Sequence, residues 1–209
     1  MTLQHLLGLI VAYVAGSIPA AYIAGRLVRG IDLREYGSGN LGATNVYREL
    51  GRTVAVAVML FDAAKGALPV LVLPRLITGG DPVPWAIAYG VAAIVGHVRP
   101  IFLRWKGGGK GVATSSGVFA ALVPLPMLVT FLAWVAIIWG TGYVSLASLS
   151  AALLLPLTIL VMVGPRTPVL AVAIVVGGFV FWTHRANIGR LRRGEESRFS
   201  RRPRGEGAG

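Results

Sequence analysis

At 209 residues, with 55% hydrophobic and 13% charged side chains and a mean hydropathy of +0.71, the chain lies outside the range of soluble domains and reads as an integral membrane protein. A formal net charge of +12 would suggest nucleic acid in a soluble chain; here basic loops at one membrane face account for it, and nucleic acid is set aside as a partner. The absence of cysteine excludes disulfides, a thiolate nucleophile and cysteine metal sites.

The first apolar stretch has no positively charged start and no small-residue cleavage site, so it reads as a retained span. Seven spans are predicted, at about 3–24 with a kink at Pro19, 54–73, 83–98, 112–123, 127–139, 145–163 and 169–182. Pro124-Leu125-Pro126 either separates the fourth from the fifth or is a bend inside one longer, broken element. Of the 20 Lys and Arg residues, seventeen fall in the first loop, the third loop and the tail, against only Arg75 and Arg166 in the opposite loops. By the positive-inside rule the N-terminus is outside and the C-terminus cytoplasmic, which requires an odd number of spans. The expected fold is therefore all-α: a polytopic membrane protein of seven transmembrane helices, with residues 1–195 as one membrane domain. Residues 196–209 are expected to form a disordered basic cytoplasmic tail that touches anionic lipid.

The loop after the first span carries Gly37-Ser38-Gly39-Asn40-Leu41-Gly42-Ala43-Thr44-Asn45, with Arg48 just beyond. Glycines let backbone approach a ligand closely, and Ser, Thr and Asn donate to phosphate oxygens, so this run predicts an anion site over a flexible linker. It satisfies G-x-G-x-x-G, but a charged loop and no buried strand precedes it, which rules out a dinucleotide fold. Asp62 and Lys65 lie three apart inside the second span, where isolated charges are costly and are paired or functional. Counted from the cytoplasmic side they sit near mid-bilayer, too deep for a cytoplasmic phosphate.

A second glycine run, Gly107 to Thr114, adds Lys110. Gly111 follows the lysine where an NTP-binding loop needs Ser or Thr, so the expectation is a phosphate cradle of Gly108, Gly109, Lys110, Gly111 and Thr114 at a helix N-terminus. Lys106 reads equally well as an interfacial cation. His97 and Ser145 occupy the same face, Ser145 also as a plain helix cap. His184 and Asn187 share one helical face at the end of the seventh span, if the helix continues. No histidine is followed five residues later by aspartate, and the eight scattered acidic residues predict neither metal nor cofactor.

Together, residues 37–48, Phe61-Asp-Ala-Ala-Lys-Gly66, Gly96-His-Val-Arg-Pro-Ile-Phe102, residues 108–114 and His184-Arg-Ala-Asn-Ile188 resemble the bacterial acyl-phosphate:glycerol-3-phosphate acyltransferase family, PlsY, over nearly the whole chain. One departure is that three glycines separate Lys106 from Lys110 where the family pattern has two. The resemblance implies a seven-helix inner-membrane enzyme with a cytoplasmic active site. It would move a fatty acyl group from acyl phosphate to the 1-hydroxyl of glycerol 3-phosphate, giving lysophosphatidate and phosphate, as a monomer in the bilayer without cofactor. It also implies catalytic roles for Ser38, Asn40, Arg48, His184 and Asn187. Substrate binding would fall to Gly37, Gly39, Gly42, Thr44, Asn45, Gly108, Gly109, Lys110, Gly111, Thr114 and Ser145. Two phosphates would explain two basic glycine-rich loops. Direct attack by the glycerol hydroxyl and an acyl-Ser38 intermediate are both open. A transporter for phosphorylated metabolites is the rival; polar groups on one face and no internal repeat favour the enzyme.

Overall fold

The computed structural model describes residues 2–77 and 79–199. Among these, every regular element is helical: α1 (Leu3–Ser17), α2 (Ala20–Arg29), α3 (Ala43–Leu50), α4 (Arg52–Leu76), α5 (Pro82–Val98), a 3-10 turn (Ile101–Leu103), α6 (Val112–Leu122), α7 (Pro124–Thr141), α8 (Val144–Met162), α9 (Pro168–Thr183) and α10 (Arg185–Arg192). Pro19 ends α1, because its ring disfavours helix at Ile18 and it has no N–H to continue the ladder. α2 restarts at once, so the first span is a broken one over Leu3–Arg29, closed by Gly30 at φ 69°. α5 and α9 begin with proline behind a side-chain cap, Asp81 Oδ1 accepting from the Val83 N–H at 2.9 Å and Thr167 Oγ1 from the Val169 N–H at 3.4 Å.

All seven expected segments are helical, but among the described residues five helices are long and apolar enough to cross a membrane, or six if the pair α9–α10, bent by 60°, counts as one. α6 has 11 residues, about 16 Å of helix against a hydrocarbon core of about 30 Å. The proline pair is no interruption within a helix: only Val123 separates α6 from α7, and Pro124 opens the new helix.

Among the described residues, those up to Ala121 make one compact unit and those from Leu122 another. Glycine sets the helix crossings in the first unit. A Cβ on Gly16 of α1 would strike the Ala93 carbonyl of α5, and one on Gly96 of α5 the Tyr13 carbonyl of α1. Gly66 of α4 lies against the Thr114 backbone of α6, and Gly117 of α6 against Ala63. Lipid tails are as apolar as leucine, so such close backbone approach is what holds these helices together. In the second unit Gly177 of α9 meets the Ala152 carbonyl of α8 in the same way. Leu60, Leu68, Trp139, Val161 and Val175 point outward, as side chains facing lipid do.

Candidate active site

The first glycine loop leaves α2 and is fixed at its base by Asp32. This buried carboxylate accepts the Arg34 backbone N–H at 3.1 Å, Arg34 Nη2 at 2.6 Å and Arg26 Nη2 at 3.5 Å. Hydrogen bonding by the Arg34 guanidinium outweighs burial and holds the Asp32 carboxyl below the ordinary carboxylate range. Asn45, almost fully buried at the start of α3, closes the loop. Its Oδ1 accepts the Ser38 N–H at 2.9 Å, and its Nδ2 donates to the carbonyls of Leu33 at 3.2 Å and Tyr36 at 3.1 Å. Gly37 at φ 59° and Gly39 at φ 67° make the turns this needs, and a Cβ on Gly37 would fall on Asn45 Oδ1. Gly42 is the N-cap of α3 and leaves room for the Asn40 amide. The side chains of Ser38, Asn40, Thr44 and Arg48 are at least part-exposed.

The second loop lies across the C-terminal turn of α5. Gly107 at φ 72° and Gly111 at φ 83° turn the chain. Between them the Gly109 N–H donates to the His97 carbonyl at 3.3 Å, covering a helix-end acceptor that has no partner within the helix. A Cβ on Gly108 would strike the Val98 carbonyl; one on Gly109 would strike His97 Nε2 and come within 2.9 Å of the Leu41 carbonyl. Leu41 belongs to the first loop, so the two glycine-rich loops touch at Leu41 and Gly109. Lys110 follows, half-buried, and α6 begins two residues later. In its first turn Thr114 Oγ1 and Ser115 Oγ are buried without a hydrogen-bond partner among the described residues.

Beneath this contact lies a small cavity lined by Leu41, Gly108, Gly109, Asp62, Lys65 and His97, among others. Lys65 Nζ is 2.6 Å from Asp62 Oδ1, and His97 Nδ1 is 3.5 Å from the same oxygen. The pair expected to lie too deep for a cytoplasmic phosphate thus shares a cavity wall with both glycine-rich loops. The glycine loop, with no side chains at 108 and 109, descends onto the end of α5 and reaches their level.

In the second unit His184 sits at the bend between α9 and α10. Its Nδ1 is 2.8 Å from the Val180 carbonyl, which can only accept, so Nδ1 carries the proton and Nε2 is the basic nitrogen of the neutral ring. One turn on, Asn187 Nδ2 donates to Glu196 Oε1 at 2.6 Å, and Arg190 Nε donates to Glu196 Oε2 at 2.6 Å. The residues described beyond 195 are thus not a free tail. Glu196 is buried, and the Phe199 N–H donates to the Gly142 carbonyl at 2.6 Å; residues 200–209 of the expected tail lie outside the described residues. Burial acts to raise the Glu196 carboxyl, but Asn187, Ser145 and Arg190 together hold it below the ordinary carboxylate range. Ser145 contributes by proximity, since its buried Oγ makes no hydrogen bond of normal geometry. Sequence reading passed over Glu196 because it stands in a run of arginines, although it is one of only two acidic residues just beyond Gly194.

A carboxyl depressed by folding stabilises the fold above its unfolded pKa, and that stability is lost as pH falls through the folded value. Glu196→Gln is therefore expected to be less stable than the parent at pH 7, by about 1.5 kcal/mol or more. The gap should narrow below about pH 4, where an ordinary carboxyl is protonated. Thermal unfolding in detergent between pH 3 and 7 reads both.

Several apolar helices long enough to span a bilayer, with two touching glycine-rich loops between them, define a multi-pass membrane protein. The glycerol-3-phosphate acyltransferase family model matches residues 6–194, and the chain belongs to that family. The glycerol-3-phosphate acyltransferase of Geobacter sulfurreducens is 46% identical over 198 residues, covering 94% of this chain and 98% of that one. The enzyme of that name from Prochlorococcus marinus (strain NATL2A) is 41% identical over 93% of this chain and 98% of its own. Among solved structures, the glycerol 3-phosphate form of PlsY, an integral membrane glycerol 3-phosphate acyltransferase, superposes with a TM-score of 0.83 at 40% identity, covering 94% of this chain and 96% of that one. Its lysophosphatidic acid form gives 0.83 at 39% identity, covering 94% and 95%.

Proposed function

We infer that this enzyme transfers a fatty acyl group from acyl phosphate to the 1-hydroxyl of glycerol 3-phosphate, releasing lysophosphatidate and inorganic phosphate. Family membership supports the acyl acceptor. The observation that carries the reading is the contact of Leu41 with Gly109, which joins two phosphate-competent loops, as a reaction between two phosphorylated substrates requires.

The mixed anhydride is already activated, so alignment and charge stabilisation supply much of the rate. The glycerol oxygen attacks the acyl carbon, the carbonyl–phosphate oxygen bond breaks, and the hydroxyl proton passes to the departing phosphate or to His184 Nε2. Ser38 and Asn40 donate hydrogen bonds, Arg48 and Lys110 hold phosphate charge, and backbone N–H groups of the glycine runs complete both cradles. Thr44, Thr114 and Ser145 supply hydroxyls, Asn187 an amide held by Glu196, and Asn45 acts through the loop it braces. The charge bias supports seven crossings of the bacterial cytoplasmic membrane, with the N-terminus outside and the loops at the cytoplasmic face. The acyl tail then runs along the helices in the bilayer, and a monomer suffices.

The test offers purified protein in lipid glycerol 3-phosphate with either palmitoyl phosphate or palmitoyl-coenzyme A. Phosphate release and lysophosphatidate are expected with the first donor only. Equal turnover with both donors would overturn the assignment of the donor, and labelled acyl-Ser38 in a single turnover would overturn direct attack.

A further inference from the structure

Asp62, Lys65 and His97 are buried charged or titratable groups that the reaction above does not use. Burying an ion pair inside a membrane span is costly, and its retention calls for a role. The contacts form a chain. Lys65 Nζ donates to the Ile18 carbonyl at 2.7 Å, at the break between α1 and α2, and pairs with Asp62 at 2.6 Å. Asp62 faces His97 Nδ1 at 3.5 Å, which turns the other ring nitrogen, Nε2, towards Gly109, in the space a Cβ there would take. Gly107 and Gly111 are glycine for their positive φ, whereas Gly109 has no such φ. At 109 the side chain is missing because the imidazole and the Leu41 carbonyl occupy its place.

We propose that Asp62, Lys65 and His97 are positioning residues: Asp62 and Lys65 lock the His97 ring, and the ring seats the glycine loop at Gly109 against Leu41, setting Lys110 and the loop amides for phosphate. This deepens the functional reading above and rests on it for its kinetic consequence, but not for its structural one. Phosphate affinity then depends on a strut that touches neither substrate.

The test is a double-mutant cycle on the full chain in lipid nanodiscs, with His97→Ala, Gly109→Ala and the pair, beside the conservative Asp62→Asn. Each single change is expected to lower kcat/KM by about 10- to 100-fold, the scale of a small misplacement of a binding group. Most of that loss should appear as a raised KM for a phosphate substrate. The double variant should lose less than the product of the singles, because the new methyl enters the space the ring leaves, with only its approach to the Leu41 carbonyl still to relieve. Hydrogen exchange over residues 107–111 should quicken in His97→Ala and Asp62→Asn while α8 is unchanged. Additive singles, a fall in kcat at constant KM, or unchanged exchange would overturn the proposal. If the parent protein shows no turnover, the functional reading fails by itself, and the exchange experiment still decides whether the cluster holds the loop. A His97→Ala protein that does not fold leaves that decision to Asp62→Asn, whose unchanged exchange would be equally fatal.

Discussion

Lys110→Ala is expected to reduce kcat/KM by roughly 30- to 3,000-fold, the scale of 2–5 kcal/mol for taking one partner from a desolvated charge pair. The lysine stands between Gly109, pressed on His97, and Gly111, whose φ of 83° turns the chain into α6. Its backbone is therefore placed from both sides, two residues before the first amides of α6. Part of the attraction to phosphate comes from those amides and the helix dipole, and survives the mutation. Lys110→Arg retains the charge but replaces a compact ammonium by a planar fork in a loop wrapped closely by backbone, so partial activity is expected. Initial rates at varied glycerol 3-phosphate and varied acyl phosphate separate the two phosphates: the KM that rises identifies the one Lys110 holds. Full activity in Lys110→Ala, with an unfolding temperature matching the parent, would remove the second loop from the site.

The loops were legible in sequence because Gly, Ser, Asn, Thr and Lys stand out against an apolar chain, and their spacing is local. The division of labour inside them was not. Asn45 and Ser38 look alike as hydrogen-bonding residues seven apart, yet Asn45 spends its amide on Leu33, Tyr36 and Ser38. Which way each side chain turns depends on the fold of the whole loop. The cavity that Asp62 and Lys65 share with the second loop was not legible, since counting along a span measures only that helix and not how far another segment descends beside it. The break at Pro19 was visible, but the partner of the Ile18 carbonyl, Lys65, 47 residues away, was not. Crossing number is a similar case: charge bias and parity argue for seven, whereas helix length alone supports five or six. The two criteria differ because α6 and α9 are short, which the hydropathy of an apolar run does not register.

Gly16→Leu is expected to lower the unfolding temperature by on the order of 10 °C. Its Cβ would meet Ala93 backbone, which cannot swing aside as a flexible side chain would, so α1 and α5 must separate. The loss should not stop at packing. Gly96, two residues before the end of α5, rests on the Tyr13 carbonyl, and His97 follows it, so parting α1 from α5 moves the ring that seats Gly109. Activity should therefore fall at temperatures where Gly16→Leu is still folded. Gly178→Leu is the control: a Cβ there meets nothing within 4 Å, and near-parental stability and rate are expected. The same substitution thus separates glycine needed for helix contact from glycine that merely faces lipid. Equal unfolding temperatures for the two variants, measured in one detergent, would show that α1 and α5 are not held by this contact.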